Sequence, residues 1–269
     1  MRFVGNSFWT GGLLSIFAAY AVAEDAATPS PVTGSLGVTS NYTFRGISQT
    51  QNKPAVQGGL TYTHSSGFHG GFWGSNVNFK PKDSVVVVND NASLEFDITA
   101  GYGGKISDAL TWDVSVTHYG YPGSNPSGAF QYDFWEVSPS LVYDFGSAKV
   151  TAQLAYSPDF FGPAKHGTYL MAQLDVPLPS DFAINAHLGE QWLQADNASG
   201  LSQTFVNAVT SYVPKNYTEW KLGISKQVAG VGLELAYFGT DISQNKCQAF
   251  QGQHDLCKST VVLTVSKSF

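Results

Sequence analysis

Long apolar runs are nearly missing from this chain. Beyond its first two dozen residues no stretch reaches the roughly 20 apolar residues that a membrane-crossing helix needs. Charge is scarce as well. Asp, Glu, Lys and Arg make up 13% of the 269 residues, against about 25% in an ordinary soluble domain. Basic residues are the scarcer sign, 14 against 20 acidic. That balance excludes the basic footprint of a nucleic-acid binder. The two cysteines, Cys247 and Cys257, belong to no Cys-x-x-Cys and have no paired histidines beside them, which argues against zinc. There is no His-Glu-x-x-His, and the Gly-x-Ser-x-Gly elbow of a serine hydrolase is also lacking. The expectation is a chain that is not an enzyme and uses no cofactor or metal.

The one apolar run lies at the start. Arg2 supplies a basic residue, and Leu13, Leu14, Ile16, Phe17, Ala18 and Tyr20 follow. Ala21-Val22-Ala23 then fits the small-x-small cleavage pattern, with Ala21 and Ala23 as the small residues before Glu24-Asp25. Residues 1–23 are therefore expected to be a signal peptide and 24–33 a short periplasmic segment. Residues 34–269 remain for the folded part. Leaving out the leader removes Arg2 and no acid, so the mature net charge falls from -6 to -7. No cysteine follows the cleavage region to carry a lipid anchor.

What is abundant is aromatic side chains, 14% of residues, and a mean hydropathy near neutral at -0.08. Few charges and many aromatics suit a chain that turns half its side chains to lipid. Without helices, only a closed β-barrel satisfies the backbone there. Period-two alternation recurs in stretches of about ten residues. In 94–104, for example, Leu94, Phe96, Ile98, Ala100 and Tyr102 alternate with Glu95, Asp97, Thr99, Gly101 and Gly103. Strands are predicted at 34–45, 54–64, 68–79, 94–104, 110–119, 132–144, 148–156, 167–176, 182–192, 217–227, 231–241 and 259–269. The fold class is thus all-β: an antiparallel transmembrane β-barrel of about 12 strands.

The connections alternate between short and long. Tight turns such as Ser65-Ser66-Gly67, Phe145-Gly146-Ser147 and Val228-Ala229-Gly230 contrast with segments 46–53, 80–93, 120–131, 157–166, 193–216 and 242–258. Short periplasmic turns and long extracellular loops characterise outer-membrane barrels. Tyr62, Tyr102, Trp112, Tyr143, Phe182 and Phe269 share the apolar parity at the predicted periplasmic ends. Tyr42, Phe44, Trp135, Trp192 and Trp220 share it at the other ends. Two such rings read as interfacial girdles. The last strand alternates through Val261, Leu263 and Val265 to Phe269. This ending reads as an assembly signal for the barrel assembly machinery.

The block Ser40-Asn41-Tyr42-Thr43-Phe44-Arg45-Gly46-Ile47-Ser48-Gln49-Thr50 resembles the TorF family of porin-type bacterial outer-membrane proteins. So do Gly71-Phe72-Trp73-Gly74-Ser75-Asn76-Val77, Tyr156-Ser157-Pro158-Asp159-Phe160-Phe161-Gly162 and Tyr217-Thr218-Glu219-Trp220-Lys221-Leu222-Gly223. The resemblance spans nearly the whole mature chain. It implies a barrel and a porin-like role in the outer membrane, and brings no substrate and no catalytic residues.

Charges at the polar parity are the candidate lumen residues: Arg45, Glu95, Asp97, Asp113, Glu136, Lys149, Asp175, Glu219, Lys221 and Glu234. Facing lipid at mid-bilayer, a Lys or Arg would cost about 2–4 kcal/mol. Acids outnumber bases in this set, so a mild cation preference is expected. Gly37, Gly59, Gly101, Gly103 and Gly223 share the lumen parity and would widen a bore or relieve strand bending. His187 is read as a pore-lining residue. Cys247 and Cys257 are expected to form one local disulfide. Eight strands leave a filled interior and sixteen an open channel. Twelve therefore leaves two readings: a passive channel for small hydrophilic solutes, or a non-conducting barrel that displays its loops. Lipid is the expected surrounding. Oligomeric state has no sequence signal.

Overall fold

Strict alternation builds the wall, because successive strand side chains face opposite sides. The computed structural model describes residues 30–80, 92–124, 132–162, 164–194, 201–202 and 211–269. In chain order the elements are β1 (Val32–Thr39), β2 (Thr43–Phe44), β3 (Ile47–Ser48), β4 (Ala55–Thr63), β5 (Phe68–Asn76), β6 (Leu94–Lys105), β7 (Leu110–Gly120) and β8 (Phe134–Asp144). They continue with β9 (Lys149–Ser157), β10 (Gly167–Pro177), β11 (Phe182–Leu193), β12 (Leu201–Ser202), β13 (Ser211–Tyr212), β14 (Asn216–Val228), β15 (Val231–Thr240), α1 (Gln244–Gln251) and β16 (Thr260–Ser268).

Twelve of these strands close into one antiparallel barrel, in the order β1-β16-β15-β14-β11-β10-β9-β8-β7-β6-β5-β4. Closure runs through β1, which pairs with both β4 and β16. Gly34 and Phe269 exchange backbone hydrogen bonds of 2.8 and 3.0 Å beside that seam. The expected 12-stranded barrel is therefore the observed one. The leader region and residues 81–91 of the segment 80–93 lie outside the described residues.

One face of every wall strand is apolar and outward. Leu36, Val56, Ile98, Leu188, Leu222 and Leu235 are all at least half exposed. A continuous apolar exterior is costly in water and favourable in lipid. Among the described residues no helix is long and apolar enough to cross a membrane; this barrel would cross with strands. Tyr62, Tyr143 and Phe269 at the short-turn end, and Trp135 and Trp192 at the long-loop end, are exposed outward as expected. The ladder between β8 and β9 lapses from Val137↔Tyr156 to Ser140↔Gln153. Pro139, which has no N–H to donate, sits in that gap.

Two expectations about the elements need correction. The first strand was expected to run to residue 45, but the chain leaves the wall after Thr39. Residues 43–48 form the β2–β3 hairpin instead, with Phe44 opposite Ile47. Arg45 (φ 47°) and Gly46 (φ 77°) are its two-residue turn. Two consecutive positive φ values match the type I′ hairpin turn. Tyr42 is consequently buried inside at 1% exposure rather than standing in an outer girdle. Phe44 also packs inward against the internal aromatic cluster. The second correction is α1, a helix in the last long loop where none was expected. Ser243 caps its start by accepting from the Lys246 N–H, and Gly252 (φ 76°) ends it.

Candidate functional site: a charged lumen under an inward hairpin

The hairpin reaches across the barrel. The chain leaves the wall after β1, and the guanidinium of Arg45 at the hairpin turn meets the far side. Nη2 donates to both carboxylate oxygens of Glu136 on β8, at 2.7 and 2.8 Å. Nη1 donates to Gln191 Oε1 on β11 at 2.6 Å. The rings of Tyr169, Phe44 and Phe160 lie 4.2, 4.8 and 5.4 Å from Cζ. A planar cation held by a forked carboxylate and aromatic faces is a site only arginine fills this well. Arg45 is also the only arginine beyond Arg2. Gly46 is required at the tip. A Cβ there would come within 2.9 Å of Glu219 Cβ and 3.1 Å of the Gly239 carbonyl oxygen.

The rest of segment 40–53 packs into the same space. Tyr42 donates its hydroxyl to Glu95 Oε1 at 3.1 Å and stands edge-on to Trp73. Asn41 accepts from Ser48 Oγ at 2.7 Å, and Gln49 N–H donates to the Tyr42 carbonyl at 2.8 Å. Asn78 N–H donates to the Gln49 carbonyl. Asn41, Thr43, Ile47, Ser48, Thr50 and Gln51 are all buried. Around them aromatics of the loops and of the strand ends close ranks. Tyr132 stacks on Phe161 at 4.7 Å and Tyr119 on Phe134 at 4.3 Å, with Phe79 and Tyr121 edge-on to them. Tyr121, Phe160 and Phe161 thus pack the loops together.

The predicted lumen charges fall into three groups. Arg45, Glu95, Asp97, Glu136, Glu219, Lys221 and Glu234 face inward and are 0–5% exposed. Most are paired. Lys221 donates to Glu234 at 2.8 Å, and Asn185 Nδ2 donates to the same oxygen at 2.8 Å. Glu219 is bonded by the Tyr169 hydroxyl and lies 2.9 Å from His187 Nε2. Glu95 and Asp97 form the second group within these, since neither has a basic partner among the described residues. Glu95 Oε2 and Asp97 Oδ1 are buried and unbonded among the described residues. Asp113, Asp175 and Lys149 form the third group, toward the short-turn end. Asp113 bonds His69, and Asp175 accepts from Gln173 at 2.8 Å. Lys149 corrects its assignment: it is an exposed rim residue 3.4 Å from Asp144.

Exposure inside the barrel is uneven. Lumen-facing Val142, Asp144, Gln173 and Asp175 near the short turns are partly exposed. The belt of Glu136, Gln191, Glu219 and Tyr169 is sealed. The partly exposed lumen residues lie on β8 and β10, whereas His69, Thr61, Ser225 and Glu234 in the short-turn halves of other strands are buried. The lumen glycines also need a corrected reading. Cβ atoms at Gly101, Gly189 and Gly223 would strike His69, Tyr169 and Asn185. They make room for inward side chains that fill the bore, and so do not widen it.

Cys247 and Cys257 are joined by a disulfide with Cα atoms 5.8 Å apart. Among the described residues no group of three His, Cys, Asp or Glu could hold a metal ion. The parity of Tyr169 and Gln191 was legible, but their roles depended on the unseen hairpin. The available signal was Thr43-Phe44-Arg45-Gly46-Ile47-Ser48, two short strand-like pairs around a turn. Asn-Gly or Asp-Gly would have marked it more strongly.

A family model described as a bacterial protein of unknown function (Gcw_chp) matches residues 23–269. The TorF name expected from the Ser40–Thr50 block does not come with it. No curated protein matches the chain. Among solved structures the KdgM porin superposes with a TM-score of 0.51 at 7% identity, covering 88% of this chain and 98% of that one. The NanC porin gives 0.52 at 12% identity, again with 88% and 98% covered. Both similarities concern the fold.

Proposed function

We propose, on the premise that the chain belongs to the Gcw_chp family of bacterial proteins, that it is an outer-membrane porin-like channel for passive diffusion of small hydrophilic solutes. The short turns face the periplasm and the long loops the exterior. The observation that carries the reading is the closed 12-stranded barrel with a polar inner face and an apolar exterior, its lumen crossed by the Arg45–Glu136 pair. The hairpin 43–48 is the natural gate, because it crosses the bore and is built on a loop. The residues named have roles in positioning and selectivity; none is assigned catalysis.

Mild cation preference is part of the proposal. Its support is narrower than the count of acids. Arg45 offsets Glu136 and Lys221 offsets Glu234, which leaves Glu95, Asp97, Asp113, Asp175 and Glu219 without a Lys or Arg ion pair among the described residues. Carboxylates aligned along a pore favour cations. Reversal potentials in a salt gradient test it, and anion preference would sink it. Residues 1–23 would direct export, and β16 with Phe269 would be read by the barrel assembly machinery.

A second reading is favoured by the sealed belt. A lumen filled across its upper half would make the chain a non-conducting barrel that displays loops to receptors or ligands. Planar-bilayer recording of the refolded protein separates the two. Discrete open steps support the channel. A silent bilayer, with heat-modifiable gel mobility showing an intact barrel, supports the second.

A further inference from the structure

The last long loop does more than span β15 and β16. Between its cysteines, Leu256 and Asp255 reach down to the hairpin. Ser48 N–H donates to the Leu256 carbonyl at 2.9 Å, and Asn52 Nδ2 donates to the Asp255 carbonyl at 3.3 Å. Gln253 Nε2 ties the same ring to the Lys80 carbonyl, also at 3.3 Å. The ring is fixed to the wall where Thr240 Oγ1 donates to the Cys257 carbonyl at 3.0 Å. Cys247, Leu256 and Cys257 belong to one apolar cluster with Tyr42 and Ile47. The segment enclosed by the disulfide therefore roofs the hairpin from outside, while Arg45 anchors it from inside.

We infer that the Cys247–Cys257 ring is a strap that keeps the inward hairpin in the lumen, and that opening the ring releases the hairpin toward the exterior. The ring closes a sequence separation of 10. Opening a loop of that size loosens its ordered state by about a hundredfold, in the chain-entropy account. The contacts it makes to Ser48 and Asn52 weaken with it. Its consequence for conduction rests on the channel reading; its effect on the hairpin does not. Chemically, a dithiol reductant breaks the Sγ–Sγ bond. Two electrons and two protons pass to the cysteines, and the reductant closes to its own cyclic disulfide.

The chain carries its own reporter. Arg45 is the only arginine of the predicted mature chain, so an arginine-specific serine protease can cut it only after Arg45. Folded protein in micelles is compared with Cys247→Ala/Cys257→Ala and with wild type reduced by a dithiol after folding. Heat-modifiable mobility checks the barrel in each case, and the reduced wild type stands in if the variant does not fold. Cleavage after Arg45 is expected to speed up at least tenfold, toward a hundredfold, once the ring is open. A change of less than twofold with the barrel intact overturns the strap. Bilayer recording of the same samples keeps the two claims apart. Faster cleavage with silent bilayers sinks the channel and leaves the strap, whereas open channels with unchanged cleavage sink the strap alone.

Discussion

Arg45→Ala should undock the hairpin and leave the barrel standing. The side chain removed makes a forked pair with Glu136, a bond to Gln191 and contacts with three aromatic rings. Both members of the pair have side chains at most 1% exposed. Breaking a buried pair by deleting one partner typically costs about 3–5 kcal/mol, because the other charge stays buried and uncompensated. The docked-to-undocked ratio should fall by about two to three and a half powers of ten. Amide hydrogen exchange reads that ratio locally. Peptides covering residues 40–53 should exchange faster by roughly that factor, while those in β6, β10 and β14 keep their protection. Arg45→Lys should fall between, since it keeps the charge and loses the second nitrogen that bonds Gln191 and the planar face over Tyr169. Removing both partners, as Arg45→Met/Glu136→Leu, should be milder than Arg45→Ala alone. Less than tenfold acceleration in Arg45→Ala would refute the anchor.

Other consequences follow from the same geometry. Lys221→Met strands Glu234 in the lumen and should lower the midpoint of heat-modifiable unfolding; adding Glu234→Leu should restore part of the loss. Leu235→Arg puts a cation on the exterior of β15. It should cost about 2–4 kcal/mol when the protein is refolded into bilayers, measured by denaturant titration. Gly46→Ala should displace the hairpin tip, because its positive φ and the nearby Glu219 and Gly239 leave no room for a Cβ. Exchange of residues 40–53 should rise while the unfolding midpoint stays near wild type.

The wall was legible because its rule is local. Glu95 and Asp97 could be turned inward from Leu94, Phe96 and Ile98 alone, since parity needs no partner. Arg45 was also turned inward, but for a reason that does not hold. Its parity assumed a strand through residue 45, and the chain instead bends away after Thr39. Nothing in Tyr42 or Phe44 distinguishes a girdle aromatic from one packed inside, because both positions want a large amphipathic ring. Glu136, Gln191 and Tyr169 converge only through barrel closure, across 146 residues in the case of Arg45 and Gln191. Such a meeting depends on circumference and register, which no single stretch encodes. Lys149 shows the opposite limit. Parity gave its side and could not give its depth, so the rim looked like the bore.

The central claim is that the hairpin closes a lumen that would otherwise conduct. Replacing residues 41–52 with a short Gly-Ser linker and recording single channels in planar bilayers tests it most directly. The account predicts low or intermittent conductance for the wild-type barrel, and large, stable open steps for the shortened one. Equal conductance in the two barrels, or silence in both with heat-modifiable mobility intact, would contradict it.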